Sequence, residues 1–122
     1  MTFLQFLLVG VGGFFGAISR FSLSQFLNRR FTARIPIATL AINLAGSFLL
    51  GFIIGTGMNK MGYLLLGTGF MGAFTTFSTF KLESIQLYTS GKKKEFFQYN
   101  IISYCLGIIL ALAGMWLGRF FP

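Results

Sequence analysis

Four long apolar segments, at residues 3–27, 36–58, 62–88 and 96–120, leave only short connections between them. A bilayer core is crossed by about 20 apolar residues in helical form, because each segment must then satisfy its own backbone N–H and C=O groups. The expectation is an all-α membrane protein, one domain of four transmembrane helices spanning residues 1–122. A soluble domain of this size would not need a chain that is 55% hydrophobic and only 10% charged. No basic region precedes the first apolar run, so a cleavable signal peptide is not expected.

The third segment is the least uniform. From Gly69 to Phe80 it reads Gly-Phe-Met-Gly-Ala-Phe-Thr-Thr-Phe-Ser-Thr-Phe. Glycines lower helix stability and hydroxyl side chains compete for backbone carbonyls, so a break is predicted near 72–77, with a short helix on either side. Unwound backbone is tolerated at membrane depth only where protein or water satisfies it, and its carbonyls can bind a cation. Phe77 and Phe80, three apart, share a helix face and offer electropositive ring edges, while Thr75, Thr76, Ser78 and Thr79 offer hydroxyls. Such a surface suits a small dehydrated ion. Packing and lipid contact are the alternative use of the same rings, and bonding back to the preceding turn that of the hydroxyls.

Polar residues inside the other segments narrow the reading. Asn43 must hydrogen-bond something, either an anion or a neighbouring helix. Arg20 either snorkels to the interface or anchors anions at a pore mouth. Lys81 and Glu83 follow the predicted break, where a salt bridge or an interfacial position would accommodate both. Asn100, Ser103 and Tyr104 are spaced to share one face of the last helix, which should meet another polar track. Gly12, Gly13, Gly16, Gly51, Gly55, Gly107, Gly114 and Gly118 are positions for close helix contact. Cys105, the single cysteine, reads as a small core residue.

The chain has no histidine, no metal-ligand cluster, no paired carboxylates and no phosphate loop, so an enzyme is not expected. The net charge of +8 resides in short loops rather than on one polar face, which favours membrane topology over nucleic acid as its explanation.

With these motifs in place, the sequence resembles the Fluc fluoride channels, also called the CrcB family. The resemblance rests on Gly-Gly-Phe-Phe-Gly-Ala-Ile-Ser-Arg at 12–20, Asn-Leu-Ala-Gly-Ser-Phe at 43–48 and Gly-Ala-Phe-Thr-Thr-Phe-Ser-Thr-Phe at 72–80, and covers nearly the whole chain. It implies an antiparallel dual-pore dimer of four-helix subunits in the plasma membrane of a microbe, with passive fluoride export that protects the cell. It also implies a central structural sodium ion held by the backbone carbonyls of Gly72 and Thr75. Carried onto this chain, it makes Phe77 and Phe80 the pore aromatics and Asn43 a donor to fluoride. Ser78, Thr79 and Tyr104 become parts of a polar track, and Arg20 and Glu83 become vestibule residues. Ala73 stands where relatives often have a second glycine, and Phe74 where many have leucine.

Loop charges bear on how such a dimer would assemble. Arg29, Arg30, Arg34, Lys92, Lys93 and Lys94 fall on one side of a four-span topology, against Lys60 and Arg119 on the other. Six against two predicts one dominant orientation with both termini outside, and so favours pairing with an oppositely oriented homologue over pairing with itself. A small multidrug exporter, the rival of similar size, needs a carboxylate in its first helix, where this chain has Arg20 and no acid. A non-transporting assembly subunit would use Phe77 and Asn43 for packing alone.

Overall fold

The computed structural model describes residues 2–31 and 35–121, and every regular element among them is helical. Arg34, counted above among the loop charges, lies outside the described residues. Helix α1 (Phe3–Arg30) opens with a capping box in which Thr2 Oγ1 accepts from the Gln5 N–H at 3.3 Å while Gln5 Oε1 accepts from the Thr2 N–H at 3.1 Å. It runs through Asn28, Arg29 and Arg30, which the sequence places in a connection. Two arginines in the last turn sit favourably at the negative end of the helix dipole and extend it. Helix α2 (Ile37–Thr56) starts after Pro36 and stops at Gly57, whose φ of +64° is the left-handed conformation that glycine enters without penalty.

The third apolar segment is a series of short pieces. Asn59 caps helix α3 (Lys60–Gly62), its Oδ1 accepting from the Gly62 N–H at 2.7 Å, so Lys60 and Met61 begin a helix rather than form a turn. A π-helix follows at Tyr63–Met71, then the single turn α4 (Gly72–Phe74). Thr75 is extended at φ −85°, ψ 159°, and helix resumes with α5 (Ser78–Thr89). The predicted break is therefore present, confined to Thr75–Phe77. Gly91, at φ +81°, turns the chain into α6 (Lys93–Gly118), which begins three residues earlier than the sequence suggests and takes Glu95 into its first turn. An acid there is favoured by the dipole. Among the described residues, α1, α2 and α6 are each long and apolar enough to cross a membrane.

Glycine sets the spacing between helices. A Cβ on Gly51 or Gly55 would overlap the carbonyls of Ala111 or Met115, and one on Gly114 or Gly118 those of Phe48 or Phe52. Helices α2 and α6 thus approach backbone to backbone along a small-xxx-small track. Gly12 and Gly16 do the same for α1, lying against Leu65 and Phe70 of the π-helix. Buried apolar clusters are small, one of Leu40, Phe80, Leu87 and Tyr99 and one of Ile42, Met71 and Phe74. Large apolar side chains such as Phe6, Phe14, Ile108 and Trp116 point outward, as suits a chain whose solvent is hydrocarbon. Cys105 is also exposed, correcting its reading as a core residue: it lies on an outward face of α6.

Candidate functional site

The break forms one wall of an open cavity of about 280 Å³. Asn43, Gly46, Ser47 and Leu50 line it from α2, Thr75, Thr76 and Phe77 from the break, Phe80 from α5, and Ser103 and Tyr104 from α6. Gly46 lets these parts meet, because any side chain there would overlap the Thr75 methyl group.

Asn43 holds the unwound backbone from both sides. Its Nδ2 donates to the Thr76 carbonyl at 2.7 Å, and its Oδ1 accepts from the Thr76 N–H at 2.9 Å. Both backbone groups of Thr76 are thereby satisfied where the helix cannot satisfy them. Asn43 thus ties α2 to the unwound backbone, and an amide nitrogen with two hydrogens keeps a second N–H for the cavity. Thr75 bonds back one turn, its Oγ1 donating to the Met71 carbonyl at 2.9 Å. Thr76 Oγ1 accepts from the Thr79 N–H at 3.3 Å, just ahead of α5.

Phe77 and Phe80 lie with ring centroids 6.0 Å apart but in different surroundings: Phe77 is 64% exposed and Phe80 only 4%. Phe80 is fixed by Tyr99, at 5.0 Å between centroids, and by an edge-to-face contact with Tyr104 at 5.7 Å. Tyr104 thus reaches the site. Ser78 and Thr79 do not line the cavity: the first turn of α5 leaves both exposed, with helical geometry turning them from the face that carries Phe77 and Phe80. Arg20 is half-buried on α1 and likewise not on the cavity wall. Glu83 accepts from Thr39 Oγ1 at 2.5 Å, joining α5 to α2.

Gly72 is exposed, with open space where a Cβ would be, and Thr75 is half-buried beside it. Because the Thr76 N–H is directed to Asn43, it does not return to the Gly72 carbonyl as a continuous helix would require.

Two residues not among the sequence-derived pore candidates belong to this region. Ser103 lines the cavity, and its buried Oγ has no hydrogen-bond partner. Tyr99, fully buried, packs on Phe80. Both share the polar stripe of α6 with Asn100, which donates to Ser84 Oγ at 2.6 Å and to the Phe96 carbonyl at 2.9 Å. That stripe does meet another polar residue, Ser84, as expected, but Asn100 itself is not in the cavity.

Comparison with known proteins bears on the same region. The family model described as "CrcB-like protein, Camphor Resistance (CrcB)" matches residues 7–115. The "Fluoride-specific ion channel FluC 2" of Bacillus cereus is 55% identical over 115 residues, covering 94% of this chain and 98% of that protein. "Fluoride-specific ion channel FluC 1" proteins of Geobacillus kaustophilus and Listeria innocua are 47% and 45% identical, over 93% and 94% of this chain and 97% and 98% of theirs. These relatives are ion channels, not enzymes, and with its apolar helices the present chain is a multi-pass protein of the plasma membrane. The match over most of its length, including every residue of the cavity, means that this chain belongs to the CrcB-like protein family.

Proposed function

We propose that this chain conducts fluoride passively through the membrane, exporting it to relieve fluoride toxicity. The observation that carries the reading is the cavity at the break, where weak donors and aromatic rings converge and no carboxylate side chain is among the lining residues. Fluoride is small and strongly hydrated, so a pore must replace its water with donors, yet donors that bind too tightly would hold it. The spare N–H of Asn43, the hydroxyls of Ser103 and Tyr104 and the electropositive edges of Phe77 and Phe80 are weak donors in series. Glu83 and Arg20 would sit in the approaches, Glu83 held by Thr39.

In this reading α3 to α5 together with the π-helix make a fourth span, and two such four-helix subunits pair antiparallel to form two pores. The chemistry of the break suits a central sodium ion, since unwound carbonyls are typical ligands for it in membrane proteins. The carbonyls of Gly72 and Thr75 would hold it, and its charge would raise the potential for anions as a fixed structural element. Lipid covers the outward aromatic faces. The bias of loop charges favours an oppositely oriented homologue as the partner over a second copy.

The test is fluoride efflux from liposomes carrying the purified chain, read with a fluoride electrode and with chloride as control. Rapid fluoride flux without chloride flux supports the channel and shows that a homodimer suffices. If the chain alone is silent, flux restored by an oppositely oriented homologue supports the paired form. Continued silence refutes the fluoride reading.

A further inference from the structure

Among the described residues, Lys81 is the cation that lies against the aromatic wall, and the proposed function gives it no part. Its ammonium lies 5.4 Å from the ring centroid of Phe77, 5.8 Å from that of Phe80 and 6.0 Å from that of Tyr104. Three rings, from the break, α5 and α6, therefore lie against one exposed cation, and all three line the cavity. Glu83, two residues on, lies on a different face of α5 from Lys81, where it accepts from Thr39 of α2.

We infer that Lys81 charges the aromatic wall: it draws small anions to the cavity and makes the ring edges better donors, without itself holding the ion. A cation over a ring interacts with the negative π face. Drawing electron density to that face leaves the hydrogen-bearing edge more positive, and the edge is the part of phenylalanine that an anion meets. The ammonium is thus anchored by ring faces while the edges remain for the ion, which separates attraction from capture. A direct ammonium–fluoride contact would be strong enough to slow release. Arginine would serve in the same place, since its guanidinium also stacks on aromatic faces and keeps its charge. A neutral side chain of similar length would fill the space and lose the field.

This inference rests on the fluoride reading, and the test separates the two. Fluoride efflux from liposomes is compared for the wild-type chain, Lys81→Arg, Lys81→Met and Lys81→Gln, at ionic strengths of about 0.01 M and about 1 M, where the screening length falls from about 30 Å to about 3 Å. Where the wild-type chain needs its homologue for flux, all variants are measured in that pair. At low ionic strength Lys81→Met and Lys81→Gln should lose about tenfold in flux, the lower end of what electrostatic focusing supplies. Lys81→Arg should stay within about twofold of wild type, and the neutral variants should converge on it at high ionic strength. Should Lys81→Met not assemble, Lys81→Gln carries the test. Neutral variants that match wild type at low ionic strength overturn the inference and leave the fluoride reading standing. A loss shared equally by Lys81→Arg, or one indifferent to salt, overturns it too, since either marks packing rather than charge. A wild-type chain silent in every setting sinks the fluoride reading and this inference with it.

Discussion

Removing the amide of Asn43 is the sharpest test of how the break is held. The side chain makes two hydrogen bonds to one residue, donating to the Thr76 carbonyl and accepting from the Thr76 N–H. A hydrogen bond contributes about 0.5–1.5 kcal/mol net, so the pair is worth about 1–3 kcal/mol if both backbone groups can find water afterwards. Thr76 is half-buried on the wall of an open cavity, which makes that hydration available. Asn43→Ala should therefore destabilise the fold by about 2 kcal/mol, roughly a 30-fold change in the unfolding equilibrium, without abolishing it. Asn43→Asp divides the two bonds: its carboxylate still accepts from the Thr76 N–H but faces the Thr76 carbonyl as a second acceptor. It should be at least as destabilising as alanine at neutral pH and improve on acidification, when a protonated carboxyl can donate. Unfolding in mixed micelles, followed by far-UV circular dichroism in parallel with fluoride flux, measures both effects. An alanine variant that unfolds at the wild-type midpoint would show that this amide does not hold the break.

The two phenylalanines should separate stability from transport. Phe80→Ala, at a buried position, should cost about 3–5 kcal/mol in the same unfolding assay. Phe77→Ala should leave stability nearly unchanged and reduce fluoride flux by at least about tenfold; unaltered flux would remove Phe77 from the pore. At the α2–α6 seam, Gly51→Ala and Gly114→Ala should each cost about 1–3 kcal/mol or more through overlap with a facing backbone carbonyl. Gly10→Ala, with nothing within 4 Å of the new methyl, should be neutral or stabilising by up to about 1 kcal/mol. Glu83→Ala should cost about 1–3 kcal/mol by leaving the buried Thr39 hydroxyl without its acceptor, whereas Glu83→Gln should restore most of that, as thermal unfolding of the purified variants would show.

The break was legible because its signals are local. Gly72 and the hydroxyl-rich run after it disfavour continuous helix by propensity alone, and the chain unwinds at Thr75–Phe77. Asn43 was legible as a buried amide that needed a partner, but the partner depends on how α2 lies against the break and is not written in its spacing. The same holds for Ser78 and Thr79. Their hydroxyls follow Phe77 in sequence, yet a helix that carries Phe77 and Phe80 on one face sends the residues between them elsewhere. Ser103 was legible as part of the polar stripe with Tyr104 but not as a wall of the cavity; Tyr99 lies one turn earlier, and only packing shows it against Phe80. The π-helix had no local signal. It arises where α1 presses against the third segment, and that contact is tertiary.

The π-helix at Tyr63–Met71 has a geometric consequence for the whole third segment. Its hydrogen bonds reach five residues back instead of four, so its turns are wider than α-helical ones. Gly12 lies against Leu65 O and Phe70 N, a carbonyl and an amide five positions apart, as one such bond would pair them. The widened coil therefore acts as a phase shifter: it decouples the angular position of the glycine seam on α1 from that of the break. A one-residue deletion between Tyr63 and Met71 would be absorbed by tightening to α-geometry, in which each remaining residue turns the chain further and offsets the turn of the one lost. The cavity's aromatic and amide groups would then keep their neighbours, whereas the same deletion in a continuous α-helix would rotate everything after it by about 100°. The register between α1 and the break is thus buffered at this one place against a change in the number of residues.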